Sequence, residues 1–143
     1  MEGYEISTDA ARIDLDALHA ALRRMYWCED IPRELLAKAI ENSINFAVYT
    51  SAKDLVGFAR VITDKATFAY LCDVYVLENH RGRGLSKRIM EAVTAHPELQ
   101  GLRRFLLMTR DAHGLYEQFG FTRPANPDGI MEIALPGLYK RPL

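Results

Sequence analysis

The stretch Phe68 to Leu77, reading FAYLCDVYVL, constrains the architecture of this chain more than any other. Apolar side chains fill both of its alternating faces and only Asp73 interrupts them, the pattern of a central strand covered on both sides. Such a strand requires a packed layer above and below it. At 143 residues the chain is long enough to supply both layers as one domain spanning 1–143, without disulfides or metals to hold it together. Cys28 and Cys72 are the only cysteines, show no Cys-x-x-Cys spacing, and are expected to be free thiols.

The flanking segments provide the layers. Leu15, Leu18, Leu22 and Met25 recur at helical spacing after Asp14, and Pro32 opens a second helical run through Leu35, Leu36, Ala39, Ile40 and Ile44. Phe46 to Tyr49 and Leu55 to Ile62 read as two hairpin strands around the polar turn Thr50 to Asp54. Beyond the central strand, Leu85, Ile89, Met90 and Val93 form the apolar stripe of a third helix, stopped at His96-Pro97 because the residue before a proline avoids helical angles. Arg103 to Met108 reads as a strand, Leu115, Tyr116 and Phe119 as a short helix ending at Gly120, and Ile130 to Leu135 as a last strand after the turn Asn126 to Gly129. The predicted class is α+β, a mixed sheet flanked by about four helices, with a right-handed crossover from the central strand to the next.

Between the central strand and the third helix lies Glu78-Asn79-His80-Arg81-Gly82-Arg83-Gly84-Leu85-Ser86-Lys87. The first amides of a helix have no partner within it, so this junction is a natural anion site. Gly82 and Gly84 permit a tight turn and close approach of a bulky oxyanion, and Arg81, Arg83, Lys87 and Arg88 add full positive charge. The competing reading is a surface turn with solvated arginines. Neither a Walker A loop nor a dinucleotide fingerprint is present, since Gly-x-x-x-x-Gly-Lys and the third glycine are both missing.

The segment from Asp73 to Val93 resembles the signature of the GNAT superfamily of N-acetyltransferases, whose turn runs Arg/Gln-x-x-Gly-x-Gly/Ala. Arg81, Gly84 and Ser86 fill its defined places, Ser86 standing where glycine or alanine is usual. Leu115-Tyr116-Glu117-Gln118-Phe119-Gly120-Phe121 is similar to the family's late helix motif, and the element order from residue 4 to about 135 fits as well. The resemblance implies the GNAT fold, a mixed sheet splayed in the middle where the pantetheine arm of acetyl-CoA enters. It also implies a cofactor site made of the backbone of Val74, Tyr75 and Val76 together with Arg81, Gly82, Arg83, Gly84, Leu85, Ser86 and Lys87, the Val76 N–H polarising the thioester carbonyl.

Acetyl transfer to an amine needs a neutral amine, and a lysine-like ammonium with a pKa near ~10.4 is almost wholly protonated at neutral pH. Asp73, the one carboxylate inside the central strand, is therefore a candidate proton acceptor, direct or through water. A carboxylate bonded to a neighbouring N–H or arginine is the alternative, and orientation of the acceptor by its charge lies between the two. By the resemblance, Tyr116 places a phenol near the cofactor sulfur, where it would protonate the departing thiolate; otherwise it is a core aromatic. Tyr26 and Trp27 occupy the stretch that shapes the acceptor pocket in the family, with core packing equally open for Trp27. His113 is a further candidate for lining the site, and Asp111 is expected to cap the helix that follows. His19, His80 and His96 lack metal-ligand spacing, so no metal is expected.

The expected activity is transfer of an acetyl group from acetyl-CoA to a primary amine of a small metabolite. A peptide or protein amine, or a non-catalytic acyl-CoA sensor, are the alternatives. A net charge of -1 argues against nucleic acid as a partner, and no apolar run is long enough to span a membrane. The opening MEGYEISTDAARID has no signal-peptide character, so a cytoplasmic protein is expected, with monomer and homodimer both open.

Overall fold

The computed structural model describes residues 3–140. Its five strands, β1 (Tyr4–Ser7), β2 (Ile44–Thr50), β3 (Leu55–Thr63), β4 (Phe68–Val76) and β5 (Arg104–Leu107), form one sheet in the order β1-β2-β3-β4-β5. The first three junctions are antiparallel and β4–β5 is parallel, as the helix between them requires. Four α-helices cover the sheet: α1 (Leu15–Leu22), α2 (Arg33–Glu41), α3 (Leu85–Ala95) and α4 (His113–Glu117).

Two apolar layers result. On one face Leu85, Ile89, Met90 and Val93 of α3 and Tyr116 of α4 pack against Phe46, Val48, Val61, Ala69, Leu71 and Val76. On the other, Leu18 and Leu22 of α1 and Leu36 and Ile40 of α2 pack against Ala47, Tyr49, Phe58 and Tyr75. Of the stripes read from the sequence, Leu18, Leu22, Leu36, Ile40, Leu85, Ile89, Met90 and Val93 are buried, whereas Leu35 is exposed and Ile44 belongs to β2, beyond the end of α2; Asp14 caps α1 by accepting from the amides of Asp16 and Ala17.

One irregularity decides the shape of the site. Asp73 sits at φ 55°, in the left-handed region, and the β3–β4 register slips there: Arg60 faces Cys72 while Phe58 faces Tyr75. The extra residue is a β-bulge, tolerated by an Asp better than by a β-branched residue. It reverses the alternation of β4, so Ala69 and Leu71 share a face with Val76, and Tyr75 turns to the opposite layer. A bulged strand also bends and twists, and pairing with β5 ends at Leu71↔Leu107, leaving Cys72 to Val76 with no strand on that side. The sheet is therefore splayed.

Three expectations need correction. A strand precedes the first helix: β1 is too short, and too polar at Glu5 and Ser7, to read from alternation. The segment Ile130 to Leu135 belongs to no strand, because alternation marks a strand-competent sequence and says nothing about a free edge within reach. It is tied at both ends instead, by Ile130 N donating to Pro127 O and Leu138 N to Leu135 O. Asp111 does not cap α4: Ala112 holds that position without a side-chain bond, and Thr109 Oγ1 accepts from Ala112 N.

Candidate active site

Where β4 and β5 part, a cavity of about 450 Å³ opens. Its walls are Leu71 to Val74 of β4, Leu107 to Ala112 after β5, Tyr116, and Tyr26 with Trp27 from the α1–α2 connection. The fold thus gathers Asp73, Tyr116, Tyr26 and Trp27 at one place. His113 lines a neighbouring cavity of about 840 Å³, and Tyr116 is a wall common to both.

Asp73 is buried and both of its oxygens are engaged. Oδ1 accepts from Trp27 Nε1 at 2.8 Å, and Oδ2 accepts from Arg60 Nε at 2.8 Å. Arg60 in turn donates to Ser43 Oγ at 3.1 Å. Burial disfavours the charge of Arg60, and the Asp73 carboxylate together with the neighbouring cysteines outweighs that and holds its pKa above the ordinary arginine value. Arg60 was missed in the sequence, yet its signal was there: one cation in the apolar run Leu55 to Ile62 beside one carboxylate in the apolar run Phe68 to Leu77.

Trp27 is 42% exposed and belongs to neither core layer. It stands edge-on to Tyr26, with ring centroids 5.1 Å apart, and the Arg110 guanidinium lies 3.8 Å from the Tyr26 ring centroid. Together these three residues form a rigid aromatic rim stiffened by a cation. Tyr116 is buried, packs edge-on against Phe121, and its hydroxyl has no hydrogen-bond partner among the described residues. Burial raises its pKa above the usual tyrosine value, so the phenol keeps its proton at neutral pH. Cys28 and Cys72 are both pushed up to about 12 by burial, which makes them inert thiols.

At the far end of β4 the turn reads as an anion cradle. Gly82 and Gly84 have φ 76° and 73°, values that a residue with a Cβ adopts only under strain, and nothing lies within 4 Å of the Cβ position at Gly82. Gly84 is the N-cap of α3, so no side chain covers the first amides of that helix. Arg81 turns back to donate to Val76 O at 2.9 Å, which braces the turn on the strand. Arg83 donates to Tyr4 Oη at 2.6 Å, and that phenol bonds His80 Nδ1 at 2.9 Å, fastening the turn to β1. Arg83 and Lys87 are exposed, while Ser86 is half-buried at the start of the helix. Among the described residues no three His, Cys, Asp or Glu converge as they would around a metal ion. No helix among them is long and apolar enough to cross a membrane.

The sequence model of the acetyltransferase (GNAT) domain matches residues 42–123, from the end of α2 to just past α4. The chain belongs to the GNAT acetyltransferase family. A crystal structure described as a "putative acetyltransferase belonging to the gnat family", from Xanthomonas campestris pv. campestris, is 51% identical, covers 99% of both chains and superposes with a TM-score of 0.95. A Gibberella zeae protein carrying the name "putative acetyltransferase" is 34% identical over 92% of this chain and 86% of its own length. Glucosamine-6-phosphate N-acetyltransferase from Arabidopsis thaliana, 14% identical with a TM-score of 0.66 over 94% of this chain and 98% of that one, shares the fold.

GNAT acetyltransferases use acetyl-CoA as cosubstrate, and this GNAT chain has features that fit one. The uncapped amides of α3, the two left-handed glycines and the exposed cations suit a pyrophosphate, and the strand edge from Cys72 to Val76 offers backbone groups to an amide-bearing arm.

Proposed function

We propose that this GNAT chain is one domain across 1–143 that transfers the acetyl group of acetyl-CoA to a primary amine of a small cytoplasmic metabolite. One observation carries the reading: a single splay in the sheet connects an anion cradle at the head of α3 with a cavity of about 450 Å³ walled by Asp73, Trp27 and Tyr116. A cavity of that size suits a small acceptor better than a folded protein surface.

The roles follow from position. Backbone groups of Val74, Tyr75 and Val76 hold the pantetheine arm, with the Val76 N–H directed at the thioester oxygen. Gly82, Gly84, Leu85 and Ser86 supply amides and space to the pyrophosphate, while Arg81, Arg83 and Lys87 supply charge. Tyr26 and Trp27 flank the acceptor. With both oxygens already accepting hydrogen bonds, Asp73 acts chiefly as a positioning residue: it fixes Trp27 and turns a negative field toward the incoming ammonium. The amine gives its ammonium proton to water at the cavity mouth and its nitrogen forms a bond to the carbonyl carbon; as the carbon–sulfur bond breaks, the nitrogen releases its second proton to water and Tyr116 gives its own proton to the sulfur, the tyrosinate then being reprotonated by water. His113 lines the second cavity, with Tyr116 as the wall common to both.

Thiol release from acetyl-CoA, measured against a panel of polyamines, amino acids, amino sugars and short peptides, tests the reading. Turnover with a small amine is expected. Turnover confined to peptides would reassign the acceptor, and CoA binding without turnover on any amine would make the chain a sensor.

A further inference from the structure

The wall of the acceptor cavity carries a charge that acetyl transfer by itself leaves idle. Asp73, the buried carboxylate there, is matched by Arg60, and the pair adds no net charge to the site. Arg110 has no such match: it is exposed, lines the same cavity, and makes neither an ion pair nor a hydrogen bond among the described residues. Its guanidinium lies over Tyr26, 3.8 Å from the ring centroid. A guanidinium seated on a ring keeps its N–H groups free in its own plane, where a carboxylate or phosphate takes two of them at once. Tyr26 stands edge-on to Trp27, and Trp27 Nε1 donates to Asp73 Oδ1 at 2.8 Å, so one series of contacts fixes both the carboxylate and the free cation. Asp111, next in the chain and also on the cavity wall, forms no ion pair with Arg110. The wall therefore presents both signs of charge, as a zwitterion requires.

We propose that the acceptor is a primary amine that also carries an oxyanion, a carboxylate or a phosphate, and that Arg110 selects it by that group. The proposal rests on the acetyl-transfer reading above and narrows its acceptor. With the oxyanion on Arg110 and the ammonium turned toward Asp73, such a molecule lies along the cavity wall and presents its nitrogen where β4 and β5 part. Tyr26 and Trp27 stand between the two charged residues, so the amine and the oxyanion are best separated by several bonds. Seating on Tyr26 also places the guanidinium in advance, which lowers the cost of ordering a long side chain when the acceptor binds. A polyamine meets a like charge at Arg110 and is disfavoured, and a simple amine gains nothing from it. A guanidinium that only stiffened the rim would leave all three classes alike.

Thiol release from acetyl-CoA, compared across matched amines, tests the proposal: γ-aminobutyrate against butylamine, lysine against cadaverine, and O-phosphoethanolamine against ethanolamine. In the wild type, kcat/KM should favour the anionic member of at least one pair about tenfold or more, chiefly through KM, and the pair that responds tells carboxylate from phosphate. Arg110→Gln should bring that ratio to within about twofold of unity, and Arg110→Lys, which keeps the charge without the fork, should fall between. Arg110→Glu should turn the preference toward the amine that lacks the oxyanion. Arg103→Gln, which removes an exposed cation outside the cavity, should leave the ratio as it is. A wild type indifferent to the oxyanion, or a ratio that survives Arg110→Gln, overturns the proposal. Calorimetry of the three anionic amines on the CoA-loaded chain reads the same selection without turnover. Binding that is lost in Arg110→Gln, with no thiol released from any amine, would keep the oxyanion site and sink acetyl transfer; turnover of simple amines with no binding of the anionic ones would do the reverse.

Discussion

Tyr116 and Asp73 are both buried, and under the proposed reading their surroundings suit them to different work. The phenol of Tyr116 has no bond to give up before it donates, and burial holds its pKa above the ordinary ~10. Tyr116→Phe keeps the ring against Phe121, so stability and CoA affinity should hold while kcat and kcat/KM fall together. A thiol is a tolerable leaving group, and the loss should be about a hundredfold or less, read under single-turnover conditions so that product release does not mask it. A wild-type chemical step in that variant would leave Tyr116 as packing alone. The alkaline limb of the wild-type profile should lie above pH ~10, since the acid fails only when its own raised pKa is crossed. For Asp73 the expected signature differs. Asp73→Asn retains an acceptor for Trp27 but strands the mostly buried Arg60 charge, costing about 3 kcal/mol in chemical denaturation. Adding Arg60→Gln should recover part of that. In both variants KM for the amine should rise more than kcat falls, and an equal fall in kcat and kcat/KM would return Asp73 to the role of proton acceptor.

The junction between β4 and α3 was legible because its requirements are local: a buried strand, two glycines, cations and a helix start all lie within one short run. Ser86→Glu separates binding from folding there. A carboxylate in the first turn of a helix is favoured by the dipole, so the melting temperature should be kept or raised, whereas the same charge repels a pyrophosphate and CoA affinity should fall at least about tenfold by calorimetry. Unchanged affinity would remove the cradle from the cofactor site. The bulge at Asp73 was only half legible. The sequence marked Asp73 as out of place in an apolar strand, but its cause, a residue too many against β3, depends on the register of a partner strand. The Asp73–Arg60 pair and the stacking of Arg110 on Tyr26 are likewise facts of pairing and packing, and the failed last strand is the same lesson with the sign reversed.

Over the whole molecule, a set of groups kept neutral by burial sets the alkaline limit of the fold. Cys28 and Cys72 are raised to about 12, and Tyr49, Tyr70 and Tyr75 are raised as well. Unfolded thiols ionise near pH ~8.5 and unfolded tyrosines near ~10, so the contribution of these groups is complete below those values and drains away as pH climbs toward the folded ones. Denaturant midpoints should be flat from pH 7 to about 8.5 and then decline steadily, and replacing both cysteines by alanine should blunt the first part of that decline. The layered architecture and most helices were recoverable from periodicity because burial repeats along the chain; the cleft was not, because it arises where repetition stops. That has a consequence for anyone rebuilding this protein. Deleting the residue at Asp73 would give β4 an unbroken ladder against β3, leave Val74, Tyr75 and Val76 on their present faces, and take away the bend that parts the strands, so that β5 could zip further along it. The product would be the tidier sheet, and it would have nowhere to put a thioester.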